Sequence, residues 1–263
     1  MNKLMLIAIA IFGFAFAYFA NAAVIKGGIV IPTYAEPCKR NDKNFSGCIK
    51  NTLQNLLPKF SNGIPELNIS ALDPFFLDEY LLHYDAGDIS GKCLYKNVYT
   101  SGLMGVKITD VRSDVSDPDY FEMEIDFYFP KVISTGNYKA EGIIGNFPVQ
   151  GKGIFNVTAF NVTGTTHLIG HGVEIDGEKH IKISDFRLKE QEIGDLKIFA
   201  TNLINGNPEL SQMALTFMNQ FWRIFHQLML PNIQEGFEKV GRPFINQLFL
   251  QIPYDQLLPP NRK

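Results

Sequence analysis

The sequence predicts an α+β fold in which a strongly curved antiparallel sheet wraps a long C-terminal helix. Three observations carry this. From Pro208 to Ile252 apolar residues recur in steps of three and four, the mark of a helix face. From about Cys93 onward the period changes to two, the mark of strands with one wet face. A short helical pattern, Phe45 to Phe60, stands in front of both. Between Leu210 and Leu230 the only strongly charged residue is Arg223, so this helix needs cover on most sides. Strands that each offer one apolar face supply that cover if the sheet curls around the helix.

The chain begins with Lys3, an apolar run from Leu4 to Phe19, and Ala20-Asn21-Ala22 before Ala23. This pattern predicts a cleaved secretory signal peptide over residues 1–22 and a single domain over 23–263. Four N-x-S/T sequons, at Asn44, Asn68, Asn156 and Asn161, fit a secreted glycoprotein. Asn156 and Asn161 are an odd number of residues apart. An unbroken strand would therefore send them to opposite faces, unless a bulge or turn intervenes. In an oxidising compartment Cys38 and Cys48 can close a small loop, leaving Cys93 as either a buried free thiol or one half of an intermolecular bridge.

Residues Ala23 to Pro37 show no clear period. The first helix places Ile49, Leu53, Leu56 and Leu57 on one face and ends at Ser61-Asn62-Gly63. Gly63 to Asp73 reads as extended, and Pro74 as the start of a short helical turn through Tyr80. In Tyr120 to Phe129, Phe121, Met123, Ile125, Phe127 and Phe129 alternate with Glu122, Glu124 and Asp126. Further strands are expected from Val98 or Leu103 to Val111, and over Val132–Glu141, Asn146–Asn161, Thr165–Ile175, Lys179–Leu188 and Leu196–Ala200. Near Ser184-Asp185 the apolar face switches from Ile181 and Ile183 to Phe186 and Leu188, which predicts a bulge. The C-terminal helix has Asn207 as its cap, Pro208 at its first position and Glu209 at the positive end of its dipole. Pro231 and Pro243 should kink it, and Pro253 should end it.

The composition excludes several classes of function. A formal net charge of −3 with no Lys/Arg block argues against nucleic acid or an anionic membrane as partner. Asn219, Gln220, Arg223, His226 and Gln227 interrupt the apolar helix, which argues against stable membrane insertion. No nucleophile elbow, phosphate loop, H-E-x-x-H or C-x-x-C occurs, so neither an enzyme nor a cofactor or metal is expected. His167 and His171 on one strand lie roughly 13 Å apart, too far to share an ion. Asp117, Asp119, Glu122, Glu124 and Asp126 read as a solvated sheet face. Arg223, in the apolar half of the helix, needs a partner. That partner is either a surface salt bridge or the polar head of a ligand. The chain holds 22 phenylalanines, and Met213, Met218 and Met229 lie on the long helix. Phe and Met together form soft walls that suit varied lipid-like ligands, although such a stripe also serves as plain core.

In their order and spacing, several segments resemble the insect takeout/haemolymph juvenile-hormone-binding family. They are Cys38 and Cys48 ahead of the first helix, Gly63-Ile64-Pro65-Glu66-Leu67 leading to Leu72-Asp73-Pro74-Phe75, and Gly136-Asn137-Tyr138 through Gly142-Ile143-Ile144, Pro148 and Gly151-Lys152-Gly153. The close is the most specific: Asn219, Trp222-Arg223, Pro231, Asn246, Phe249 and Pro253-Tyr254-Asp255-Gln256-Leu257-Leu258-Pro259. The resemblance covers nearly all of the mature chain. It implies an apolar tunnel between sheet and helix and an extracellular, monomeric carrier of small hydrophobic ligands, terpenoid or fatty-acid-like. The juvenile-hormone carriers proper have a second disulfide, which Cys93 alone cannot form; this favours the takeout branch. Helix position then assigns the tunnel lining to Met213, Phe217, Met218, Phe221, Trp222, Phe225 and Met229, with Arg223 as a polar anchor. Two other readings are a secreted lipid-transfer or membrane-docking protein, and a receptor-binding protein with a filled core.

Overall fold

The computed structural model describes residues 37–62, 71–86, 89–144, 146–250 and 252–260. The expected signal peptide, the lead-in from Ala23, most of the extended segment after Gly63, and Asn68 lie outside the described residues. In chain order the elements are α1 (Phe45–Leu56), β1 (Phe75–Ala86), β2 (Ile89–Ser101), β3 (Lys107–Asp117), β4 (Tyr120–Ile144), β5 (Phe147–Ile175), β6 (Glu178–Ala200), α2 (Pro208–Gln220), α3 (Trp222–Phe249) and α4 (Tyr254–Leu257). Among the described residues there are also 3₁₀ turns at Leu57–Phe60 and Leu103–Gly105.

The strands form one antiparallel, six-stranded sheet in the order β1-β2-β4-β5-β6, with β3 paired to β4. The sheet is not closed; β1, β3 and β6 are its edge strands. β4 runs 25 residues. Its first part pairs with β3 and its second with β2, while β5 follows it along its whole length. The segments expected as separate strands on either side of Pro130 are therefore one strand. Pro130 is tolerated because it falls where β3 has ended at Tyr128 and β2 has not begun at Ile133, so no ladder bond is lost there.

The same correction applies to β5 and β6, each expected as two strands and each continuous. Their pattern breaks because bulges switch which residues face inward. In β5, Val157 and Ala159 face the core, but so does Val162. The switch sits at Asn161, whose φ is 52°. Asn156 and Asn161 thereby come to the same outer face, with Asn161 exposed. In β6 the register skips Ser184, pairing Asp185 with Ile169 and Ile183 with Gly170. This is the predicted bulge, and it leaves Ile181, Ile183, Phe186 and Leu188 all buried. Asp176 and Gly177, with φ of 51° and 80°, make the two-residue turn that joins β5 to β6.

The helical turn expected over Pro74–Tyr80 is instead the start of β1. Pro74 suits a helix start, but pairing along β2 from Phe75↔Thr100 to Ala86↔Ile89 outweighs that local preference. Phe75, Leu77, Tyr80, Leu82 and Tyr84 then lie half-buried against the core. α1 buries Phe45, Ile49, Leu53 and Leu56, as its spacing requires. Its Gln54 side chain clamps the start of β3, donating to Val106 O (3.0 Å) and accepting from Ile108 N–H (2.8 Å). The disulfide joins Cys38 to Cys48. Arg40 ties this end of the chain to the C-terminus through Asp255 (2.6 Å) and lies over the Tyr254 ring, whose hydroxyl donates to Val115 O.

The predicted single C-terminal rod is two helices. α2 starts as expected, with Leu210 N–H donating to the Asn207 side chain and Pro208 in the first turn. It ends at Phe221, where φ is −111° and ψ is 26°. α3 then carries both Pro231 and Pro243 without ending. The helices run along β6, and their polar side chains serve its open backbone edge. Asn219 accepts from Ile198 N–H (2.8 Å) and donates to Ile198 O (2.7 Å). Asn246 does the same to Ile183, at 2.7 Å and 2.8 Å. Arg223, Gln234 and Arg242 donate to Gly194 O, Leu188 O and Ser184 O. Side-chain amides and guanidinium groups thus take the place of a seventh strand, protecting an edge that would otherwise recruit other chains.

Candidate ligand-binding cavity

One end of the sheet interior is filled and the other is not. At the filled end the inward residues of β4, β5 and β6 are large. Phe121, Phe127, Phe129 and Phe186 are almost wholly buried, and Phe121 packs edge-on against Phe249 with ring centroids 5.4 Å apart. At the other end the inward positions of β2, β4 and β5 are Gly91, Ala140, Gly142 and Gly151, which leave space. Gly91 and Gly142 face one another across β2 and β4. A Cβ on either would sit 2.6 Å from a backbone oxygen of the opposite strand. These glycines cannot be enlarged without moving a strand.

Over this small-residue floor lies a cavity of about 330 Å³. That is at the lower end of the ~300–1,000 Å³ usual for small-molecule sites. Its strand walls come from both edges of the sheet: Leu82 and Tyr84 of β1, Cys93 and Tyr95 of β2, Tyr138 of β4, Phe155 and Val157 of β5, and Leu196 and Ile198 of β6. Met218 of α2, with Phe225 and Leu228 of α3, closes it from the helical side. Tyr138 donates its hydroxyl proton to Thr201 O at 2.7 Å. Burial, with a smaller contribution from Cys93, pushes its phenol up to about 12. The ring therefore presents a neutral wall at physiological pH. The exposed residues Lys92, Ile143 and Gln150, on the alternate positions beside the inward glycines of β2, β4 and β5, also border it.

Among the residues inferred from helix position, Met218 and Phe225 line this cavity. Trp222 is buried in the main core and does not line it. Met213 (66% exposed), Phe217 (54%) and Phe221 (37%) lie on an outer flank. There, Phe217 packs against Phe221 (4.7 Å) and Phe225 (5.8 Å). The Met229 side chain lies outside the described residues. The Arg223 guanidinium donates to Gly194 O at 3.1 Å and stacks 4.4 Å over the Trp222 ring, which satisfies its charge at the surface of β6. Sequence reasoning missed the strand half of the wall. Its signal was present: each of those residues lies on the apolar face of an alternating strand, opposite inward glycines.

The acidic stretch of β4 carries an ion ladder on the outer face of the sheet. Arg112 bridges Asp126 (2.6 Å), Asp110 (2.9 Å) and Glu124 (3.1 Å). Lys189 holds the other oxygen of Glu124 at 3.0 Å. His167, buried on β5, bonds Glu122 at 2.7 Å, whereas His171 is exposed. Bonds from Lys189 and Arg112 hold Glu124 below the usual carboxylate range, and Arg112 does the same for Asp126. Among the described residues no group of His, Cys, Asp and Glu could hold a metal ion, and no helix is long and apolar enough to cross a membrane.

Comparison with known proteins bears on the whole of this architecture. The model of the haemolymph juvenile hormone binding protein family matches residues 14–259. The circadian clock-controlled protein daywake of Drosophila melanogaster is 24% identical over 232 residues, covering 85% of this chain and 87% of its own length. A juvenile hormone-binding protein of Manduca sexta is 26% identical over 184 residues, covering 68% and 72%. The crystal structure of Epiphyas postvittana Takeout 1 superposes with a TM-score of 0.66 at 26% identity, covering 85% of this chain and 99% of that one. The fold is thus takeout-like, a large antiparallel sheet with a few helices, and the chain belongs to the takeout and haemolymph juvenile hormone binding protein family.

Proposed function

We propose that this protein is a secreted, non-enzymatic carrier that holds a small hydrophobic ligand inside the sheet. The carrying observation is the cavity of about 330 Å³, walled by Leu82, Tyr95, Phe155, Leu196, Met218 and Phe225. In this reading the sheet curls around α2 and α3, and the space between them is the tunnel. Binding is driven by apolar burial at roughly 25 cal/mol per Å². The family supports the reading, since the Manduca sexta relative is by its name a binding protein for juvenile hormone. Secretion follows from the leader-like residues 1–22, and the Cys38–Cys48 disulfide suits an oxidising compartment. The protein acts as a monomer, with any of Asn44, Asn68, Asn156 and Asn161 open to glycosylation. The test is organic extraction of the protein secreted by insect cells, followed by mass spectrometry, together with uptake of an apolar fluorescent dye. Finding neither a co-purified lipid nor any dye uptake would overturn the proposal.

A second reading rests on a different observation. Leu210, Met213, Phe217, Phe221, Ile224 and Leu228 form an exposed apolar stripe along α2 and α3. Leu228 also lines the cavity, so the stripe leads from the interior to the surface. Such a stripe suits transient docking on a lipid surface during ligand exchange. Flotation with zwitterionic liposomes tests it, and absence of the protein from the floating fraction rejects it.

A further inference from the structure

We propose that Asn156 carries an N-linked glycan whose inner sugars lie on an aromatic belt that crosses the outer face of the sheet. This rests on the secretion reading above, not on the cavity. It adds which sequon is used and what the sugar covers. The belt follows from the strand register. Phe76 pairs with Tyr99, Tyr99 with Thr135, Thr135 with Asn156, and Asn156 with Phe199. These positions form one row across β1, β2, β4, β5 and β6. The row faces outward because its neighbours along the strands are buried: Val98 and Thr100 on β2, Ser134 on β4, Phe155 and Val157 on β5, and Ile198 on β6.

Phe76, Tyr99 and Phe199 are each exposed over about half their surface, and so is Ile154, two residues before Asn156 on the same face. The rings of Phe76 and Tyr99 lie 5.0 Å apart. Large apolar side chains gathered in this way on an outer face mark a surface that something covers. The sequence places the cover inside the row, because Asn156-Val157-Thr158 is a sequon. Phe199 is the direct cross-strand neighbour of Asn156, ~5 Å away, and Tyr99 lies two strands to the other side, ~10 Å away. A two-sugar core anchored at Asn156 spans either distance. One face of a sugar ring is made of C–H groups with partial positive charge, which suits the electron-rich face of an aromatic ring.

The two sequons of β5 differ in how the fold uses them. Asn161 has a φ of 52°, a left-handed backbone that asparagine adopts more readily than most residues. Its amide oxygen accepts from the Tyr128 hydroxyl at 2.8 Å. Its amide nitrogen lies so close to β6 that a Cβ on Gly194 would sit 3.3 Å from it. The bulge thus accounts for an asparagine at 161 and turns its amide back against the sheet. Asn156 stands in regular pairing, where the backbone makes no such demand. Its amide oxygen accepts from the hydroxyl of Thr158, the third residue of its own sequon, at 3.1 Å. The nitrogen, which is the atom that takes the sugar, has no part in that bond.

The experiment expresses the full chain in insect cells and maps sugars on its peptides by mass spectrometry. The peptide that contains Asn156 is expected to be glycosylated in most of the secreted protein. Secreted protein with Asn156 bare would overturn the assignment and leave secretion and the carrier reading standing. Protein retained in the cells without sugar would overturn the secretion reading as well. Two variants that remove the sequon, Asn156→Gln and Thr158→Ala, test the belt: each should aggregate severalfold faster than wild type on warming, followed by light scattering. Adding Tyr99→Ser and Phe199→Ser to either should return aggregation to the wild-type rate. Equal aggregation with and without the glycan, or an effect of the glycan that survives the two serine substitutions, would overturn the covering role. A dimer of the glycosylated protein that Phe199→Ser dissolves would likewise overturn it, by giving the belt to a second copy of the chain.

Discussion

Asn246 offers a sharp test of how the helices are held to the sheet. Its side chain makes two hydrogen bonds to one residue of the β6 edge, accepting from Ile183 N–H at 2.7 Å and donating to Ile183 O at 2.8 Å. Asn246→Ala removes both and leaves two partly buried backbone groups with no strand to turn to. Two bonds at about 1 kcal/mol each, plus the cost of a stranded amide, come to ~2–4 kcal/mol. For a chain of this size that corresponds to a fall in Tm of about 5–15 °C. Asn246→Asp keeps the acceptor but points a second oxygen at Ile183 O, so it should be no milder at neutral pH. Urea unfolding followed by far-ultraviolet circular dichroism, with the slope held equal, measures the loss. Asn219→Ala breaks the matching clasp on Ile198, about 50 Å away along the strand at ~3.3 Å per residue. The two losses should therefore add. A change below ~0.5 kcal/mol in Asn246→Ala would refute the idea that these amides stand in for a strand.

Three further outcomes are expected. Met218→Trp, on the cavity wall, should reduce dye uptake severalfold with little loss of stability, whereas a filled core would respond by losing ~1–3 kcal/mol; parallel titration and melting separate the two. Burial holds the His226 imidazole below its ordinary value. The unfolded chain thus takes up a proton near pH ~6.5 before the folded one does, so stability present above that pH should decline as pH falls through the window beneath it, and His226→Leu should flatten the decline in pH-dependent urea titrations. Replacing Cys38 and Cys48 together by serine opens a loop of sequence separation 10 and should cost about 2–3 kcal/mol, read as a lower thermal midpoint than the oxidised wild type.

The family and the outline of the fold were legible in the sequence, but the lining of the cavity was read only from its helical side. Sequence reasoning placed the ligand on Met213, Phe217, Met218, Phe221, Phe225 and their neighbours because an apolar helix must be covered. Periodicity says that a helix has an apolar side, not which part of that side a neighbour covers. The break at Phe221 and the bonding of Asn219, Arg223 and Asn246 to β6 fix the rotation of the helices. That rotation turns Met218 and Phe225 inward and leaves Met213 and Phe217 on the outer flank. The importance of Asn219, Arg223 and Asn246 was visible as a motif, yet their role depends on β6 being an edge, which no local signal states.

The sequence by itself determined what depends on near neighbours. The alternation in β4, the bulge at Ser184, the Asn207 cap and the helical spacing of α1 all act within a few residues and could be read one segment at a time. Tertiary structure decided what depends on segments far apart in the chain. Pairing with β2 made a strand of the residues after Pro74, and the offset between β3 and β2 carried β4 through Pro130. The meeting of Gly91, Gly142 and Gly151 from three strands left a space that no single stretch encodes. A cavity is a property of side chains that fail to meet, and only the assembled sheet shows where they do.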